Sequence, residues 1–160
     1  MKLMFTWIDA HKAIAEKLLA YRDRQQELIE LLKNAGVDKF DDEAIKGTKT
    51  PLTEIDPLTF FSYIYKHGEV KNKKTLQQVC RIMEINVEVR DVCGVPSSDA
   101  RNVWYFPYKW ERLNNEIGRL WNFFEKLLAN SISNDDFQDV LSIKQVGKPK
   151  LVDGMFRIRA

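Results

Sequence analysis

The sequence predicts a mainly α fold, a single compact domain spanning 1–160 with about six helices and little strand. Three observations carry that expectation. Apolar residues return every three to four positions through most of the chain, the period of a helix with one buried face. Helix starts and stops are marked by Thr, Ser or Asp caps, by proline in a first turn and by glycine after a last one. Only one short stretch alternates with the period of a strand.

The first helix opens at Thr6, where Thr6-Trp7-Ile8-Asp9 has the spacing of a capping box. Trp7, Ile14, Leu18, Tyr21, Leu28 and Leu32 share one stripe, widened by Ile8, Ala15, Leu19 and Ile29, and Asn34-Ala35-Gly36 supplies a stop. The run makes one helix of roughly seven turns. Residues 37–56 hold six carboxylates against three lysines, with Gly47 and the threonines of TKTPLT. They read as an acidic loop with one short helical turn around Asp42 to Ile45. Asp56-Pro57 is a cap followed by proline at a position whose N–H would be unpaired anyway. The helix it opens carries Leu58, Phe60, Phe61, Ile64 and Tyr65 and closes at His67-Gly68. Asn72 caps the next, with Leu76, Val79, Cys80 and Met83 in period and Asn86 as the stop.

Val87, Val89 and Asp91 alternate with Glu88, Arg90 and Val92, which fits either a short strand or an irregular run. Residues 94–109 form a Gly/Pro/aromatic loop, from Gly94-Val95-Pro96 to Trp104, Tyr105, Phe106 and Tyr108. From Trp110 the helical period returns through Leu113, Ile117, Leu120, Trp121, Phe124, Leu127 and Leu128. Ser133-Asn134-Asp135-Asp136 repeats the capping-box spacing and opens a shorter helix with Phe137, Val140 and Leu141. After Gly147, Pro149 suits the first turn of a last helix, whose apolar positions are Leu151, Val152, Met155 and Phe156.

Composition narrows the class. A chain that is 44% hydrophobic can bury a real core and is not expected to be disordered. No apolar run approaches the roughly 20 residues of a membrane-spanning helix. The N-terminus MKLMFTWIDAHK reaches Asp9 and His11 before a signal-peptide core could form, so the expected location is cytoplasmic, with no membrane partner. Cys80 and Cys93 could form at most one bridge and lack the further ligands of a structural zinc.

Nothing in the chain has the spacing of a catalytic or metal centre. His11 and His67 stand alone, without HExxH, CxxC or GxSxG, and no phosphate-cradling GxxxxGK[ST] loop is present. His11 falls on the apolar stripe of the first helix and reads as a hydrogen-bonded, partly buried imidazole. The pairs Asp41-Asp42 and Asp135-Asp136 stand at expected helix starts, where carboxylates meet the dipole favourably. The expectation is a protein that is not an enzyme and uses no cofactor and no metal.

Charge is more informative by segment. The net charge of +2 conceals two basic islands. Residues 66–81 and 144–160 each hold five cations against one carboxylate, whereas 37–56 and 111–143 each hold six carboxylates against three cations. In the C-terminal island, Gly147 and a lysine-flanked helix start follow a short helix, an arrangement that can hold a phosphate by backbone N–H groups, helix dipole and charge together. The element over 134–159 looks like a degenerate helix-hairpin-helix, with Gln145 where that motif has its first glycine. The expected partner is DNA. Its contacts would come from Lys144, Gly147, Lys148, Lys150, Arg157 and Arg159, with Lys71, Lys73 and Lys74 as a second backbone contact. The aromatic run supports two readings: Trp104, Tyr105 and Tyr108 form a stacking surface or pocket for an exposed or flipped base, with Trp104 or Tyr105 touching it, or the run is plain core. Area burial favours core for at least three of its five rings.

The runs FTWIDAHKAIAEKLLAYRDRQQELIELL, EIDPLTFFSYI, CGVP, WYF, GRLWNFF and GKPKLVDGMFRI together resemble the N-terminal region that precedes the AAA+ GTPase module in some McrB-like restriction proteins. That family's pattern is a tryptophan-led helix, an I-D-P-[FL]-[TS]-F-F helix, an F-x-G-[IV]-P loop, an LW helix and a G-x-x-K-L-x-x-G-L-F-x-I-x-P segment. The matching positions are Trp7, Ala15, Leu18, Leu19, Ile55, Asp56, Pro57, Phe60, Phe61, Gly94, Val95, Pro96, Leu120, Trp121, Gly147, Lys150, Leu151, Gly154, Phe156 and Ile158. Cys93 replaces the aromatic before Gly-Val-Pro, and the chain ends at Arg159-Ala160 where the pattern runs on through a proline. The resemblance implies a non-catalytic DNA-recognition part of a restriction or phage-defence machine, with a GTPase motor or nuclease subunit as partner. The alternative is a helical protein-interaction or oligomerisation module, using the first helix and the helix from Trp110 to Leu128.

Overall fold

The computed structural model describes residues 5–159; Met1–Met4, which open the signal-peptide argument, and Ala160 lie outside the described residues. The elements are α1 (Trp7–Leu18), a 3-10 turn (Leu19–Tyr21), α2 (Gln25–Asn34), β1 (Asp41–Ile45), β2 (Thr48–Pro51), α3 (Pro57–Ile64), α4 (Glu69–Ile82), α5 (Glu116–Leu128), α6 (Asn134–Leu141) and α7 (Lys148–Ile158). The fold is mainly α, with one two-stranded antiparallel sheet.

The helix α3 lies at the centre because PLTFFSYI carries no charge and can be surrounded on every side. All eight of its residues are buried, and it packs against α2, α4, α5 and α7. Its start follows the expected chemistry. The Asp56 carboxylate accepts hydrogen bonds from the N–H groups of Leu58 and Thr59, at 2.8 and 3.1 Å, and from the Thr59 hydroxyl. The capping box of α6 also forms, with Ser133 and Asp136 bonding each other's backbone N–H.

Five expectations are corrected. The run from Thr6 to Gly36 is two helices: the 3-10 turn and Arg24, at φ −134°, break it. Tertiary contacts hold the break, since the Arg22 guanidinium donates to the Glu125 carboxylate and to Asn122 Oδ1 on α5, and Gln25 Oε1 accepts from the Ile55 N–H. Thr6 makes no capping box. Its backbone is already helical, and the capping carboxylate comes from Asp91, which accepts from the N–H groups of Phe5 and Thr6 and from the Thr6 hydroxyl. Residues 37–56 contain a hairpin, with no helical turn at Asp42, and Gly47 makes its turn at φ +83°. Gly68, not Asn72, caps α4; the Asn72 amide instead closes the preceding loop on both backbone groups of His67. Finally, α5 starts at Glu116, not at Trp110, because the backbone N–H groups of Lys109 and Trp110 are bonded to Asp42 and Glu43 of the hairpin. Of the two readings of Val87–Asp91, the irregular run is the one observed.

Candidate functional site

The C-terminal element has the expected order, α6, a turn and α7, and the turn explains how a glutamine serves where a glycine is usual. Gln145 and Gly147 both take φ +88°, so Gln145 adopts the left-handed backbone itself. Lys144 and Lys148 are exposed on either side, although Lys144 also reaches Glu111. Pro149 sits in the first turn of α7, as its fixed φ favours.

The remaining residues expected at the DNA contact divide by burial. Lys150 is bound internally: its ammonium donates to the carbonyls of Trp104 and Gln145 and to Asn102 Oδ1, and it lies 4.9 Å from the centre of the Tyr105 ring. Burial lowers this lysine to about 8. Arg157 is buried, and its guanidinium donates to the Pro96 carbonyl at 3.0 and 3.1 Å. Arg159 is exposed and donates to the Leu128 carbonyl. On α4, Lys71 and Lys74 are exposed and Lys73 is half-buried.

The aromatic run also divides. Tyr105 is fully buried, and its hydroxyl donates to the Lys150 carbonyl at 2.7 Å; Phe106 is buried beside it. Trp104 and Trp110 are half-buried, and Tyr108 is 39% exposed. Trp104 stacks on Phe106 at 4.9 Å and meets Tyr108 edge-on at 5.7 Å, while its indole N–H donates to the Tyr63 hydroxyl at 2.7 Å. That hydroxyl donates in turn to the Lys39 carbonyl.

These rings form one wall of a cleft of about 470 Å³ between the hairpin, α3 and the aromatic loop. Lys39, Lys49, Lys66 and Arg101 line it against one carboxylate, Asp41, and Asn102 and Gln145 add amides. The two basic islands meet here through Lys66 and Gln145, whereas Lys71, Lys73 and Lys74 do not line the cleft. Lys66 is deeply buried and held by the carbonyl and carboxylate of Asp38 at 2.8 and 3.1 Å. Lys39 takes a left-handed backbone at φ +70° and, among the described residues, its ammonium has no hydrogen-bond or ion-pair partner. Sequence reasoning finds the aromatic wall but misses Lys39, Lys49, Arg101 and Asn102. The first two lie in a segment whose net charge is acidic.

The other chemically suggestive groups are structural. His11 is buried, with Nδ1 2.6 Å from the Arg157 carbonyl and Nε2 2.6 Å from the Tyr65 hydroxyl. A carbonyl can only accept, so Nδ1 carries the proton and Nε2 accepts from tyrosine. Burial raises the Asp42 carboxyl, but the Arg112 guanidinium and the N–H groups of Glu43 and Lys109 outweigh it and hold Asp42 below the usual range. Cys80 is buried and Cys93 half-buried, both as free thiols. Among the described residues, no group of three or more His, Cys, Asp or Glu side chains could hold a metal ion, and no helix is long and apolar enough to cross a membrane.

Fold and site together define a small helical domain with a cationic, aromatic-walled cleft beside an exposed basic turn. The chain belongs to the family described as "Domain of unknown function (DUF8425)", whose model matches residues 7–160. No curated protein and no solved structure matches it.

Proposed function

We propose that this chain is a non-catalytic DNA-binding module of a restriction or phage-defence protein, similar to the region ahead of McrB-like motors, which meets the phosphate backbone through its C-terminal turn. One observation carries the reading: Gln145, inside that turn, also lines the cationic cleft. The turn that carries the exposed Lys144 and Lys148 therefore adjoins the cleft that Lys39, Lys49 and Arg101 line. Phosphate diesters bind to such a surface by charge, without reading sequence. Lys150, Arg157 and Tyr105 support it from within. A GTPase motor or nuclease would act as a separate part.

Titration of a labelled duplex at two salt concentrations tests this. Affinity should fall with a log–log slope of about −0.9 per phosphate neutralised. The double variant Lys144→Glu, Lys148→Glu should bind about tenfold or more weakly while still unfolding cooperatively from a helical state. Absence of binding at low salt, or an unaffected double variant, sinks the proposal. A protein-interaction role has one observation in its favour: Ile8, Val152 and Phe156 are 43, 50 and 40% exposed on α1 and α7. The helix α5 gives it no such support, since Ile117, Leu120, Trp121, Phe123, Phe124 and Leu127 are all buried.

A further inference from the structure

We propose that the cleft is a binding site for a free nucleoside 5′-monophosphate, a ligand beyond the DNA-backbone reading, with which it shares the cleft cations. At about 470 Å³ it falls within the range of roughly 300–1,000 Å³ typical of small-molecule pockets. Its aromatic wall is rigid. One face of Trp104 is covered by Phe106, its N–H is fixed to Tyr63, and Tyr108 stands at 80° to it, so the cleft that these rings line is bounded by aromatic surfaces at two orientations. Base stacking on such rings needs only a π-face, and the amides of Asn102 and Gln145 offer hydrogen bonds to a base edge.

The charge selects the phosphate. Lys66 is already matched by Asp38. Lys39 has no partner among the described residues, Lys49 lies 3.9 Å from Asp41 with 79% of its side chain exposed, and Arg101 lies 3.4 Å from Asp99 with 90% exposed. Exposed pairs of this kind are weak, so both cations are free to turn to a ligand. The four lining cations face Asp41 in the cleft and Asp38 and Asp99 beside it, an excess of one positive charge. A terminal phosphate offers three acceptor oxygens to Lys39, Lys49 and Arg101, whereas a strand diester offers two. The free monoester is the better match.

Calorimetric titration with AMP, GMP, CMP and UMP, their unphosphorylated nucleosides, inorganic phosphate and a tetranucleotide lacking terminal phosphate provides the test. At least one monophosphate should bind about tenfold or more tightly than its nucleoside, than inorganic phosphate and than the tetranucleotide. Lys39→Glu, Arg101→Glu and Tyr108→Ala should each weaken it about tenfold, the first two, at fully solvated charges, without altering the melting temperature. No binding of any monophosphate at millimolar concentration, equal binding of nucleoside or phosphate alone, tetranucleotide binding as tight as the best monophosphate, or unaffected variants would each overturn the proposal. The two readings fail separately. Loss of duplex binding in Lys144→Glu, Lys148→Glu with nucleotide binding intact touches only the first, and nucleotide binding by a protein that ignores DNA leaves only the second.

Discussion

At the residue scale, the buried polar side chains tie distant segments together. His11 joins α1 to the end of α7 and to Tyr65 after α3, and burial pushes its imidazole down from 6.5 to about 4. A depressed histidine contributes stability that is present above about pH 6.5 and is lost as pH falls through 4, because the unfolded chain takes up the proton first. Asp56 has the opposite sign: burial raises it from 3.8 to about 6, so its contribution is present below 3.8 and is lost as pH rises through 6. Comparison with His11→Gln isolates the histidine. Between pH 7 and pH 4, wild type should lose up to about 3 kcal/mol of unfolding free energy relative to that variant. Urea unfolding at four pH values measures the difference, and a constant difference contradicts the assignment of the neutral ring.

At the element scale, the close approach of α7 to α3 and to the aromatic loop depends on a missing side chain. A Cβ on Gly154 would lie 2.6 Å from the Tyr105 hydroxyl and 3.1 Å from Leu58 Cδ2. Neither neighbour can retreat freely, since Tyr105 is fully buried and bonded to the Lys150 carbonyl. Gly154→Ala should therefore cost about 1–3 kcal/mol despite alanine's better helix propensity. A shift of the denaturation midpoint to lower urea measures it, and a stabilised variant would mean that α7 does not pack as closely as described. The position also belongs to the G-x-x-K-L-x-x-G pattern, and its physical reason is this contact.

At the scale of the whole molecule, one buried ion pair fastens the hairpin to the body. Arg112 and Asp42 pair at 2.7 Å with 5 and 2% of their side chains exposed, and Arg112 also reaches Glu54 and the Pro107 carbonyl. Removing one partner of a buried pair leaves the other charge uncompensated. Asp42→Ala should cost about 3–5 kcal/mol. Asp41→Ala, at an exposed side chain, should cost within about 0.5 kcal/mol. Thermal melts of the two variants decide the matter, and equal losses would show that the pair does not clamp the hairpin. Because β1 and β2 carry Asp41 and Lys49 of the cleft, loosening this clamp should also weaken binding there.

Local signals sufficed for most of the helices. Asp56-Pro57, the Ser133–Asp136 capping box, Gly147-Lys148-Pro149 and the apolar periods of α3 to α7 mark the elements because caps and periodicity are properties of neighbouring residues. The break after Leu18, the capping of α1 by Asp91 and the pinning of 109–110 to the hairpin were hidden, since each rests on a partner some seventy to a hundred positions away. The candidate site was legible only in part. The sequence by itself determined that this is a mainly helical chain with basic islands at 66–81 and 144–160 and a dense aromatic run before α5. Only the tertiary structure decided which charges face solvent. Burial consumed Lys66 and Arg157 from the basic islands and Asp42 and Asp56 from the acidic segment, internal hydrogen bonds consumed the half-buried Lys150, and Lys39 and Lys49 of the acidic segment were left lining a cleft. Charge along a chain is a sum over neighbours in sequence, whereas a binding surface is set by which of those charges folding leaves unpaired.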